Sequence, residues 1–88
     1  MKSLMEALRH LAADASLDAT ERLLTAERQI KDYVVRARAN PIEQRRMLQE
    51  FDIEVAAEML GASVKANEFW TAVREFIAQL LNQLPDED

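Results

Sequence analysis

Apolar residues recur along the first half of the chain at steps of three and four: Leu4, Leu8, Leu11, Ala15, Ala19, Leu23, Ala26, Ile30, Val34 and Ala37. This is the period of an amphipathic helix, in which such positions share one stripe. The opposite side carries Asp18 with Arg22, Glu27 with Lys31 and Asp32 with Arg36. Each acid precedes its base by four residues, the order that supports a helix by about 0.2–0.5 kcal/mol per pair. Ser3-Leu4-Met5-Glu6 forms a capping box at the start, so the pattern predicts one long helix over about residues 3–38. An alternative is a break near Asp14–Leu17, because Asp18 and Glu21 can form a second capping box.

Asn40-Pro41-Ile42-Glu43 is the clearest punctuation. Asparagine caps, proline is pre-organised for the first helical position, and helical geometry is disfavoured at the residue before it. A second helix is predicted over about 41–60, with Leu48, Phe51, Val55 and Met59 as its stripe, widened by Met47, Ala56 and Leu60. Gly61 then occupies the position of a left-handed cap. Ser63 caps a third helix over about 64–84, whose apolar side is Ala66, Phe69, Trp70, Val73, Ile77, Leu80, Leu81 and Leu84. Pro85 and the acidic tail Asp86-Glu87-Asp88 follow, so residues 85–88 are read as a solvated appendage to a single domain spanning 1–88. The predicted class is all-α, an antiparallel arrangement of one long and two shorter helices.

One glycine, two prolines and a preponderance of Ala, Leu, Glu, Arg and Gln agree with helices joined by short turns. The absence of cysteine excludes disulfides and thiolate metal sites, and a single histidine, His10, excludes a poly-histidine site. No stretch reaches the roughly 18 apolar residues of a membrane span. The opening residues have no signal-peptide apolar core, so a cytoplasmic protein is expected.

No constellation of catalytic residues stands out. His10 follows Glu6 by one turn, but two groups do not close a metal site. Glu54 and Glu58 share a face, and glutamates four apart on a helix are ordinarily its wet side. The chain is therefore read as non-enzymatic, with no cofactor, metal or small-molecule substrate.

Three segments invite comparison with known families. Ser16-Leu17-Asp18 resembles the surroundings of the modified serine of acyl carrier proteins, although Ala15 stands where that family has aspartate. Ala56-Ala57-Glu58-Met59-Leu60-Gly61-Ala62-Ser63 resembles the helix and turn of helix-turn-helix DNA-binding proteins, which implies a dimeric regulator. Asn67 stands where that pattern has a buried Val or Ile. The charge balance opposes this reading. Residues 1–39 hold seven basic and six acidic groups, but residues 40–88 hold four basic and ten acidic ones, and DNA binding depends on neutralising phosphates. Residues 4–60, with Pro41, Glu43-Gln44, Leu48-Gln49 and Ala56-Ala57, resemble the small helical co-chaperones of type III secretion needle subunits. That likeness implies a chaperone-like protein that covers an apolar helix of a partner.

A continuous first helix of about 35 residues would be about 52 Å long at ~1.5 Å per residue. The two shorter helices could not cover its stripe. The expectation is a non-enzymatic interaction module, of the adaptor, co-chaperone, antitoxin or immunity type, that associates with a partner helix or with itself through exposed apolar surface. The candidate contact residues are Leu4, Leu8 and Leu11, with Phe69 and Trp70 as anchors; nucleic acid and membrane are not expected partners.

Overall fold

The computed structural model describes residues 2–84; Met1, Pro85 and the acidic tail lie outside the described residues. Four helices form: α1 Lys2–Ala13, α2 Ala19–Arg36, α3 Pro41–Met59 and α4 Val64–Gln83. No strand occurs among the described residues. The all-α class stands, and the two later helices begin and end within about one residue of expectation.

The continuous first helix does not form, and the reason is local. At Ala13 the backbone leaves the helix because the Asp14 carboxylate takes both the backbone N–H of Ser16 (2.9 Å) and its hydroxyl (2.6 Å). These bonds, the hydroxyl foremost, hold the Asp14 carboxyl below its ordinary pKa. Asp18 then adopts extended geometry and accepts the N–H of Glu21 at 2.8 Å, starting α2. Arg22, rather than pairing with Asp18, donates its Nε to the Asp14 carbonyl at 2.9 Å. Short polar side chains have thus offered the backbone an alternative to helical bonding at both edges of the gap. Asp18→Ala removes the cap and is expected to cost about 1 kcal/mol in urea unfolding. A change below a few tenths would show that the break does not depend on it.

The break lets the chain fold on itself. The molecule is 43 × 23 × 21 Å, shorter than an unbroken first helix would have been. Ser3, Leu4 and Ala7 of α1 share a shallow depression with Asp32, Arg36 and Ala37 of α2, so these two helices run antiparallel. Asp52 meets Arg74 at 2.9 Å, and the Asn67 amide donates to the Met59 carbonyl at 3.2 Å, so α3 and α4 are antiparallel as well. In contrast, Leu23 lies beside Phe69 and Ala72 while Val34 and Val35 lie beside Leu80 and Leu84. Consequently α2 and α4 point the same way. Each helix thus runs antiparallel to its neighbour in the chain, and the correction to the expected three-helix arrangement is the count: the first segment supplies two helices rather than one.

The longest helix, α4, is the hub. It contacts all three others and buries Phe69, Trp70, Val73, Phe76 and Ile77. Phe69 and Trp70 meet edge to face with centroids 5.2 Å apart. Lys31, expected to pair with Glu27, lies with its ammonium 5.7 Å from the centroid of Phe76, a cation–π arrangement. The described core contains no buried charged or polar residue. The turn geometries differ from expectation in one respect. Gly61 has an ordinary negative φ, whereas Arg38, between α2 and α3, takes the left-handed conformation with φ of 51°. A side chain there is strained by roughly 1–2 kcal/mol.

Candidate functional site

The candidate contact residues of the sequence are inside the molecule. Leu4, Leu8 and Leu11 are 7%, 0% and 8% exposed, and Phe69 and Trp70 are 7% and 2% exposed. The expectation of an apolar stripe left open on the first helix is corrected by this burial. Divided at residues 14–18, the segment is two short helices, and α1 lies against α2 and α4. Its three leucines are shielded by the chain's own side chains.

The polar candidates are brought together with bases rather than with one another. Glu58, considered with Glu54, forms an ion pair with Arg9 of α1 at 3.0 Å. Asp52 is held by both Nε and an Nη of Arg74, at 2.9 and 3.1 Å, and this keeps the guanidinium pKa raised. His10 is exposed, and no group of three potential metal ligands occurs among the described residues. Ser16 lies in the exposed turn before α2, bonded to Asp14. No described helix is long and apolar enough to cross a membrane.

What distinguishes the surface is α3. A helix on the edge of a bundle ordinarily carries apolar residues on one side. This one carries them on two. Leu48, Phe51 and Val55 are 3%, 2% and 0% exposed and face the core. Diametrically opposite, Ile42, Ile53 and Leu60 are 57%, 68% and 90% exposed, and Val64, at the start of α4 beyond the turn, is 82% exposed. At 100° per residue, Ile42, Arg46, Gln49, Ile53, Ala57 and Leu60 fall within a third of the helix circumference. Arg46, Glu50 and Glu54 flank the exposed isoleucine and make no ion pair among the described residues.

Sequence reasoning missed this face. Leu60 was assigned to the inner stripe, and Ile42 and Ile53 were assigned to none. The signal was present: Ile53 follows Ile42 by about three turns and Leu60 follows Ile42 by five. It was masked because the stronger inner stripe interleaves with it.

The unit α3–turn–α4 also bears on the helix-turn-helix likeness. Ser63 does cap α4, accepting the N–H of Ala66 at 3.1 Å. The exposed residues at the start of α4 are Val64, Lys65 and Glu68, one base against one acid. Asn67, at the position where a buried aliphatic residue is expected, ties α4 to the end of α3 through Met59. The Asn67 Oδ1 is buried without a partner.

The chain matches no family model, no curated protein and no solved structure. Function must therefore be argued from the surface itself.

Proposed function

We propose that this chain is a non-enzymatic interaction module that docks through the outer side of α3 and the adjoining turn. The observation that carries this reading is the second set of apolar residues, Ile42, Ile53, Leu60 and Val64, each more than half exposed in the folded chain. Scattered apolar residues are normal on a protein surface, whereas large aliphatic ones aligned on one helix side, as Ile42, Ile53 and Leu60 are, favour a site of association. Docking a helical face against a partner is a recurrent mode of recognition, with anchors spaced by whole turns. An adaptor, co-chaperone, antitoxin or immunity-type role is compatible with such docking. The likeness of residues 4–60 to needle-subunit co-chaperones belongs to the same proposal. In it, the helix that meets the partner is α3 rather than the first helix.

The test is the paired substitution Ile53→Glu with Leu60→Glu. Both side chains are exposed, so helicity and melting temperature should stay close to those of the parent. Capture of a partner by the immobilised protein, or its self-association, should be lost. Retention of both activities by the doubly substituted, folded protein would remove α3 as the docking face.

The alternative is a dimeric helix-turn-helix regulator. The α3–turn–α4 hairpin favours it, and the sparse positive charge at the start of α4 weighs against it. A salt-sensitive shift of duplex DNA, abolished by Lys65→Glu, would move the balance towards that reading.

A further inference from the structure

The outer face of α3 changes charge along its length, and this indicates what covers it. Arg46 stands in its first half, close in sequence to Arg36 at the end of α2 and Arg38 in the turn that follows. Glu50 and Glu54 stand at its middle and in its second half, without ion pairs among the described residues. Arg46 and Glu50 are four apart, but with the base first, the weaker order for a pair within one helix. A base and two acids are thus left beside exposed isoleucines on one face.

We propose that the occupant is a second copy of this chain, its α3 packed antiparallel on the first about a two-fold axis near Gln49 and Glu50. This rests on α3 being the docking face. In that arrangement residues equidistant from the axis meet: Ile42 comes opposite Ala57 of the other copy, and Arg46 opposite Ile53. Arg46 of each copy then reaches Glu50 of its mate, giving two opposite-sign pairs related by symmetry, with Glu54 beside them. The isologous character is what a two-fold interface requires. A parallel pairing would place Arg46 on Arg46 and Glu50 on Glu50, so charge selects the antiparallel sense. Glu43, the acid of the first half, lies in the first turn of α3, where the helix dipole favours a negative charge.

Size sets the strength. A face of 19 residues is about 28 Å long, and one helix face covers less than the roughly 800 Å² per partner of a standard stable interface. The dimer is therefore expected to be weak and concentration-dependent, forming within the range from about 1 μM to about 1 mM.

The chain has no cysteine, so a single introduced one reports position without background. Gln49→Cys should form a disulfide-linked dimer readily on mild oxidation, while Leu60→Cys, far from the axis, should not. In sedimentation equilibrium at moderate salt, Arg46→Glu should raise the dissociation constant at least about tenfold. Adding Glu50→Arg to it should restore association, because the pair is then reversed rather than lost. All four substitutions lie at exposed positions, and circular dichroism checks that each variant is folded. A chain that stays monomeric across that concentration range overturns the self-pairing. The docking reading still stands if Ile53→Glu with Leu60→Glu abolishes capture of another protein, and both fall if it does not. A dimer that ignores Arg46→Glu, or that links through Leu60→Cys and not Gln49→Cys, uses a different face or register and overturns the proposal equally.

Discussion

Trp70→Ala is expected to lower the unfolding free energy by about 3–5 kcal/mol, the usual cost of emptying a large aromatic site in a packed core. Trp70 is 2% exposed, packs edge to face with Phe69, and borders Ala12 and Ala13 of α1 as well as Ala62 and Ala66. It stands where α1 closes over the start of α4, so its removal loosens two contacts together. A domain of this size has roughly 5–10 kcal/mol to lose. The substituted protein should be partly unfolded near 37 °C, with a urea midpoint well below that of the parent when followed by far-ultraviolet circular dichroism. The parent's one tryptophan gives an independent reading by fluorescence, blue-shifted in the folded state. A loss below about 1 kcal/mol would mean that α1 does not close over this residue, since core truncations at such burial rarely cost so little.

Leu8→Ala is the second large effect and the more diagnostic. In a continuous first helix Leu8 would project beyond the reach of the shorter helices, and its truncation would cost almost nothing. In the four-helix arrangement it is fully buried, and the expected loss is about 2–5 kcal/mol. Urea titration therefore decides between the two architectures through one side chain. A neutral result would restore the open stripe and with it the original candidate face. A result in the core range is consistent with the outer side of α3 as the proposed docking face.

The candidate site was less legible than the fold, for a physical reason. Burial on one side of a helix is read from periodicity, and a second stripe on the opposite side fills the gaps in the first. In α3 the two patterns overlap, and a sequence window sees a helix that is moderately apolar all round. Leu60 illustrates the ambiguity: it follows Met59, which is half-buried, yet is itself 90% exposed just beyond the end of the helix. The first helix failed in the opposite sense. Of its stripe, Leu4, Leu8, Leu11, Ala26 and Ile30 lie in the core, whereas Ala15, Ala19 and Ala37 are exposed. The error lay in assuming that one stripe belongs to one rigid element.

The sequence alone determined which segments are helical and where most of them begin. Asn40 with Pro41, Ser63, and Asp18 with Glu21 each act within three or four residues, through side-chain bonds to the backbone N–H groups that a helix start leaves free. Such interactions are local, so they can be read without knowing what lies nearby. The sequence left a continuous helix and a break near Asp14–Leu17 both open, and the tertiary structure decided between them, as it decided which stripe of α3 turns inward. At the break, alanine-rich helical propensity and the bonds of Asp14 and Asp18 differ by little. Burial of Leu4, Met5, Leu8 and Leu11 against α2 and α4 contributes several kcal/mol on one side alone. In α3, both stripes suit a helix equally. The inner one is inside because Phe51 and Val55 meet the large side chains of α4, a long-range complementarity that no local window contains.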